Sequence, residues 1–278
     1  MAESSIEWTE HTWNPTTGCT KVSPGCKHCY AEVMARRLAA MGAAGYENEF
    51  QLTMHPSRLE QPLQRKASTT YFVNSMSDLF HEDVTDSFID RVLTTCRQTP
   101  QHTYQILTKR AERLPEFFAT RTVPDNVWLG VSVEDRKYGV PRIAKLRKVK
   151  ARVRFLSIEP LLEDLGRLNF RGIQWVIVGG ESGHGARPMR SEWAESVCDQ
   201  ARDQGVASLE ADRQSVLQGI TQDLTDKLTE RDGGVDKARA ELDSALAEAR
   251  QQRTKVNDRM SGKGDVNLAE SWACVPLR

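Results

Sequence analysis

The stretch WNPTTGCTKVSPGCKHCY, Trp13–Tyr30, decides the fold and contains three of the six cysteines of the chain. Cys19, Cys26 and Cys29 follow the spacing C-x6-C-x2-C, and an aromatic residue comes directly after the last one. Prolines and glycines within the stretch interrupt any regular element and indicate turns. A helical pattern over Ala31–Met41 follows at once. The sequence therefore predicts three thiols on a loop between a short strand and a helix.

Clustered cysteines on such a loop indicate a metal or redox centre more than disulfides. The first ten residues are acidic and lack the apolar core of a signal peptide, which predicts a cytoplasmic, reducing location. A zinc site needs four ligands, which the three thiolates with His11 or His28 would supply. An iron–sulfur cluster usually binds four cysteines, so three leave one iron open. The spacing favours iron–sulfur over zinc, and three buried structural cysteines remain the third interpretation.

Composition limits the class of protein. The 278 residues contain 38 Lys and Arg and 38 Asp and Glu, so the net charge is zero and a globally basic nucleic-acid binder is not indicated. A local basic run lies between Arg142 and Arg154, which is typical of a solvated face and compatible with phosphate contacts. No apolar run reaches membrane-spanning length, so we expect no membrane partner.

The middle of the chain alternates short apolar runs with amphipathic segments. The predicted strands are Thr70–Asn74, Thr103–Leu107, Val127–Val131, Val153–Ile158 and Gln174–Val178, after a first strand that precedes Cys19. The predicted helices between and after them are Asp86–Gln98, Ala111–Ala119, Val140–Val149 and Ser191–Gln204. Short runs rich in β-branched and aromatic residues are typical of buried parallel strands. The alternation predicts six strand–helix units in an α/β sheet, open or curled into a barrel.

Polar residues end every predicted strand. In β/α barrels, sites are assembled from the loops at the carboxyl ends of the strands, and the cysteine loop lies at that same end. The repeated pairs Ser132/Glu134 and Ser157/Glu159 therefore predict a cofactor pocket rather than a solvated edge. His81, His102 and His184 have no partner at ligand spacing and are expected to be surface or loop residues. Cys96 and Cys198 lie on helices and are expected to be packing residues.

The chain resembles the radical S-adenosylmethionine (SAM) superfamily. Within it, residues 8–204 are similar to a phage-type protein family of unknown function with a three-cysteine motif. The passages that show this are WTEHTWNPTTGCTKVSPGCKHCYAE, FVNSMSDLFHEDV, YQILTKRAERL, VWLGVSVED, RFLSIEPLL and WVIVGGESG. The first cysteine gap is longer than the superfamily's usual C-x3-C-x2-C. The Gly-Gly-Glu motif also follows the sixth strand instead of the second.

The resemblance implies a partial (β/α)6 TIM-type barrel that binds a [4Fe–4S] cluster through Cys19, Cys26 and Cys29. SAM would bind the fourth iron and be cleaved reductively to a 5′-deoxyadenosyl radical. The substrate is unknown, with nucleic acid or a nucleotide as the candidate in a phage or mobile-element context.

The resemblance also implies the residues that contact SAM. Asp78, with Ser75 and Ser77, stands where the SAM amine is usually accepted, and Lys109 would pair with the SAM carboxylate. Ser132 and Glu134 match the position that usually contacts the ribose. Glu159 and Glu181 would line the pocket, or pair with an arginine such as Arg154 or Arg187.

The C-terminal region departs from the family pattern. Apolar residues recur at helical spacing after Gly205, and Gly233–Gly234 then interrupts them. This predicts three regions: the barrel at 1–204, a helical hairpin at 205–260 and a loose terminus at 261–278. The hairpin would suit a protein partner. An alternative function is therefore a non-catalytic, metal-stabilised binding protein with zinc or an iron–sulfur cluster at its cysteines.

Overall fold

A computed structural model describes residues 2–4, 6, 8–182, 185–206, 244, 247 and 275–277. The strands are β1 (Ala2–Glu3), β2 (His11–Trp13), β3 (Thr16–Thr17), β4 (Thr53–Met54), β5 (Thr70–Val73), β6 (Thr103–Thr108), β7 (Val127–Ser132), β8 (Val153–Ile158), β9 (Trp175–Gly179) and β10 (Val275–Leu277). The α-helices are α1 (Tyr30–Ala40), α2 (Asp86–Gln98), α3 (Arg113–Phe117), α4 (Gly139–Leu146) and α5 (Ser191–Asp203). Short 3-10 turns lie at Pro24–Cys26, Pro56–Arg58 and Gln61–Gln64.

Six parallel strands form the main sheet in the order in which they occur along the chain: β2, β5, β6, β7, β8 and β9. β1 extends one edge in the antiparallel sense, and β10 pairs in parallel with β9 at the other. Parallel crossovers share one hand, so strands in sequential order place their helices on a single face. The predicted α/β class and parallel strands are confirmed.

The two faces of the sheet have different partners. On the outer face, Val127, Leu129 and Val131 of β7 belong to one buried cluster with apolar side chains of α2, α4 and α5. On the inner face, Trp128 belongs to a second cluster, in which no residue comes from a helix. Its aromatic contacts include Trp128–Trp175, with ring centroids 5.9 Å apart. The inner face is thus filled by aromatic rings, and the polar strand ends form the mouth above them.

The connection from β8 to β9 differs from the predicted strand–helix unit, because residues 159–174 form turns and extended chain without a helix. Pro160 and two glycines interrupt helical periodicity there. Apolar side chains from this segment still cover the outer face of the sheet: Leu161, Leu165, Leu168, Phe170 and Ile173 are all buried in the outer cluster. An irregular segment therefore does the packing that a helix does elsewhere.

The inner face leaves no room for a side chain at Gly130. A methyl group there would lie 2.5 Å from the ring of Phe155, its cross-strand partner. We expect Gly130→Ala to lower the free energy of unfolding by about 1–3 kcal/mol, the usual cost of overpacking. Gly180→Ala is the matched control, because its methyl group would meet its nearest neighbour at 3.5 Å. Equal denaturation midpoints for the two variants would contradict this packing.

The predicted hairpin at 205–260 and terminus at 261–278 lie largely outside the described residues. Ser244 and Ala247 are helical, and Val275–Leu277 form β10. The three-region division stays a prediction. Within the described ranges, no helix has the length and apolar character needed to cross a membrane.

Candidate functional site

The cysteine loop is fixed to the carboxyl end of the sheet through Gly18. Gly18 forms a parallel bridge with Ser77, and the amide of Cys19 donates to the Phe50 carbonyl at 3.0 Å. Gly18 has φ +77°, and a Cβ there would lie 2.2 Å from the Gln51 carbonyl oxygen. Only glycine meets both demands. The backbone of the first cysteine is therefore held between two segments.

The other two cysteines lie where the loop turns into a helix. Cys26 ends a 3-10 turn, and Cys29 is the N-cap residue of α1. All three thiols are half-buried. In the part of the chain that the structure describes, no three His, Cys, Asp or Glu side chains converge as ligands of a single ion. Three thiols on one loop are compatible with the donor set of an iron–sulfur cluster that leaves one iron open, and with three of the four ligands of a zinc site.

Arg110 connects the first cysteine to the barrel. Its Nη1 donates to the Cys19 sulfur and to an Asp78 oxygen, both at 3.3 Å. Its Nη2 donates to the Thr20 carbonyl at 3.1 Å. Burial and the negative charge of Asp78 raise the pKa of Cys19 to about 11, against the lowering effect of Arg110. The Cys19 thiol is therefore protonated at neutral pH, and a metal bound to it would have to replace that proton.

Asp78 is buried, and donors from its own chain occupy its carboxylate. One oxygen accepts from the Phe80 amide at 3.0 Å and the Thr108 hydroxyl at 2.7 Å. The other accepts from the Lys109 amide at 3.0 Å and from Arg110. A carboxylate has about four acceptor positions, so all are filled. Asp78 thus positions Arg110 beside Cys19, and its predicted contact with SAM stays a prediction.

Ser75 and Ser77 join the loop after β5 to the cysteine loop. The Ser75 hydroxyl and the Asn14 amide group exchange hydrogen bonds of 3.2 and 3.3 Å. The Ser77 hydroxyl donates to the Thr16 carbonyl at 2.9 Å. Tyr30 donates its hydroxyl to the Ser75 carbonyl. These contacts give both serines an internal role, and their contacts with a cofactor stay a prediction.

Glu134 anchors the second half of the cysteine loop. It is fully buried. One of its carboxylate oxygens accepts a hydrogen bond from Arg142, and the other accepts one from the Ser23 hydroxyl. Burial raises the pKa of this carboxyl, but the charges of Lys109 and Arg142 outweigh it, so the net shift is downward. Glu134 therefore stays ionised and holds the turn before Cys26.

Lys109 and Ser132 contact each other at the mouth, where Lys109 Nζ donates to the Ser132 hydroxyl at 3.0 Å. A lysine ammonium has three donors, so two remain for other partners. The structure thus brings together two predicted site residues that are separated by 23 positions in sequence.

Glu181 and Glu159 have opposite environments. Glu181 accepts from the amide and the guanidinium of Arg187, and Arg187 also donates to the Pro24 carbonyl at 3.0 Å. Glu159 accepts no hydrogen bond from the described residues. Burial raises the pKa of Glu159 to about 7, although Lys109 lowers it. The predicted arginine pairing is therefore confirmed for Glu181, whereas Glu159 is the carboxylate that is free to bind a ligand.

The raised pKa of Glu159 makes stability depend on pH. The native state keeps the proton to higher pH than the unfolded chain, whose glutamate pKa is about 4.3. Stability therefore falls as pH rises from that value to about 7. We expect Glu159→Gln to have a higher melting temperature than the wild type at pH 8 and the same melting temperature at pH 4. A melting difference that does not change with pH would contradict this.

The sequence did not reveal that Arg110 and Arg142 contact the site, or that two of the histidines are buried. Arg142, assigned to a solvated basic run, is buried against Glu134. His81 and His102 lie in loops, one of the two expected placements, but both are buried, and His81 contacts the Thr20 hydroxyl at 2.8 Å. Their partners come from distant segments, which spacing does not reveal. His184 lies outside the described residues, and the predicted burial of Cys96 and Cys198 is confirmed.

A parallel sheet in chain order, with three cysteines and polar strand ends at one mouth, defines a β/α-barrel protein with a cysteine-loop site. The chain belongs to the family described as "Protein of unknown function (DUF5131)", which matches residues 3–211. No curated protein matches it.

Among solved structures, the chain is similar to spore photoproduct lyase. A cysteine-to-serine mutant of that protein has a TM-score of 0.45 and 14% identity over 73% of this chain and 75% of that one. A double mutant of it, with bound AdoMet and dinucleoside spore photoproduct, has a TM-score of 0.45 and 13% identity over the same shares. These resemblances are too distant to assign a site or an activity.

Proposed function

We propose that the chain is a radical SAM-type iron–sulfur protein whose Cys19, Cys26 and Cys29 hold a [4Fe–4S] cluster. When bound and reduced, the cluster with SAM supplies a 5′-deoxyadenosyl radical. The observation that supports this most is the donor set: three half-buried thiols on one loop, at the carboxyl ends of parallel strands. A nucleic-acid or nucleotide substrate and a phage context belong to the proposal.

In this proposal, Lys109, Ser132 and Glu159 face the cofactor. Lys109 has donors left for a carboxylate, and Ser132 orients it. Glu159 accepts the cofactor's ammonium, because its carboxylate has no other donor in the described residues, whereas those of Asp78 and Glu134 are occupied. Ser75, Ser77, Asp78, Glu134 and Glu181 then position the loops around the mouth.

The role of Glu159 has a direct test at pH 8, where its carboxyl is ionised. A charge-assisted hydrogen bond is worth about 1.5–3 kcal/mol, so Glu159→Gln should weaken SAM binding by about one to two orders of magnitude. Equilibrium dialysis of the anaerobically reconstituted protein measures this. Glu116→Gln, an exposed glutamate on α3, is the control. Equal SAM affinity in the two variants would show that Glu159 does not contribute to SAM binding.

Metal analysis of anaerobically purified protein separates this proposal from its alternative. Iron and sulfide in similar amounts support the cluster. Zinc without sulfide would instead support the non-catalytic, metal-stabilised binding protein with a partner-binding tail.

A further inference from the structure

Three arginines surround a cavity at the end of the sheet opposite the cysteine loop. Arg154 is the second residue of β8, whereas Glu159 follows the carboxyl end of that strand. The cavity has a volume of about 420 Å³ and is lined by Arg147, Arg154, Asn169, Arg171 and Gly172. It is therefore separate from the mouth and from every residue placed in the proposed SAM site.

Backbone carbonyls hold two of these guanidinium groups in place. Arg154 donates from Nε to the Gly172 carbonyl at 2.7 Å and from Nη1 to the Val149 carbonyl at 3.0 Å. Arg147 donates from Nε to the Arg171 carbonyl at 2.9 Å and from Nη2 to the Asn169 carbonyl. A guanidinium has five N–H donors, so about three remain on each arginine. The cavity thus has fixed N–H donors that no described residue accepts from.

Among the described residues, no carboxylate pairs with these three arginines. Within the described residues, Arg147, Arg154 and Arg171 form no salt bridge, and the Arg171 side chain makes no hydrogen bond. Burial lowers the pKa of Arg147, and the positive charges of Arg154 and Arg171 lower it further. Like charges this close repel each other, and a bound anion would remove that cost.

The surrounding sequence extends the positive charge beyond the cavity. Residues 145–154 contain six Lys and Arg and no Asp or Glu, in a chain whose net charge is zero. Lys148, Lys150 and Arg152 of this stretch are exposed. An extended polyanion would contact this surface as well as the cavity, whereas a small anion would use the cavity alone.

We propose that the arginine cavity binds a phosphate of a nucleic-acid backbone. Guanidinium groups match phosphate oxygens with paired N–H donors. Three of them around one cavity suit an oxyanion, and the adjacent basic surface suits the neighbouring phosphates of the same strand. Phosphate binding at this cavity does not require the cluster, so it can be tested independently of the proposed SAM chemistry.

The test compares Arg171→Ala with Arg91→Ala, an exposed arginine on α2 outside the basic stretch, in the full chain, using anisotropy of a labelled single-stranded DNA of mixed sequence. Each variant removes one positive charge, but only Arg171 lines the cavity. Within the described residues, Arg171 also makes no side-chain hydrogen bond or ion pair whose loss would unfold the protein. We expect Arg171→Ala to weaken binding about tenfold and to reduce the salt dependence by about one phosphate contact, a slope change of about 0.7. Arg91→Ala should weaken binding by about twofold or less.

Three results would overturn the proposal. Equal losses in both variants would mean diffuse charge attraction without a built site. If the wild type does not bind DNA, nucleic acid is not the ligand of the cavity. If pyrophosphate raises the melting temperature of the wild type but not of Arg171→Ala, and DNA does not bind, the cavity is a site for a small phosphorylated ligand.

Discussion

Replacing Cys26 with alanine should remove almost all iron from the anaerobically reconstituted protein, and Cys19→Ala and Cys29→Ala should do the same. Each variant removes one of only three cysteines in the loop, so the cluster loses a thiolate that no other residue of the loop can supply. Iron and sulfide assays, with the visible absorbance of the cluster, measure the loss.

The two helix cysteines provide the control. Cys96 on α2 and Cys198 on α5 are buried and lie outside the cysteine loop. Cys96→Ala and Cys198→Ala should therefore keep wild-type iron. Comparable iron loss in all five variants would indicate general unfolding and would contradict the ligand assignment.

Replacing Glu134 with alanine should lower the free energy of unfolding by about 3–5 kcal/mol, because it leaves Arg142 buried without its partner. The same change releases the Ser23 hydroxyl, so the loop that contains Cys26 loses its anchor. Urea denaturation measures the stability, and the cluster content of the folded variant measures the loosening of the loop.

The pH dependence identifies the carboxylate as the cause. The pKa of Glu134 is lowered in the native state, so its stabilisation is fully present above the unfolded value of about 4.3. It is lost as the pH falls through the lower native value. The difference in unfolding free energy between the wild type and Glu134→Ala should therefore become smaller in acid. The exposed Glu116→Ala should stay within about 0.5 kcal/mol of wild type, and an equally small effect at Glu134 would contradict the buried pair.

Much of the fold was accessible from the sequence because the buried strands are short, apolar runs with clear boundaries. The predicted run at Val153–Ile158 coincides with β8, and Asp86–Gln98 coincides with α2. The helix predicted at Ala111–Ala119 is shorter in the structure, Arg113–Phe117. The β8–β9 connection was less accessible, because buried leucines in an irregular segment have no period to detect.

The candidate site was only partly predictable, because residue type and strand position do not reveal which polar groups pair with each other. Glu159 and Asp78 both follow strand ends. The carboxylate of Asp78 accepts hydrogen bonds from donors of the next strand–helix unit, whereas that of Glu159 accepts none from the described residues. Arg110 follows Lys109 directly, but only the folded chain shows that it contacts Cys19. Only long-range contacts, and not sequence motifs, distinguish the residues that position the cysteine loop from those whose side chains are available to a ligand.

Formation of 5′-deoxyadenosine tests the central claim most directly. Reconstituted protein is reduced anaerobically with SAM and without substrate, and the product is followed by chromatography, with Cys26→Ala as the blank. The proposed function predicts slow product formation well above this blank. Protein that has a full cluster but yields no more 5′-deoxyadenosine than the blank would contradict the radical SAM function and favour the metal-stabilised binding protein.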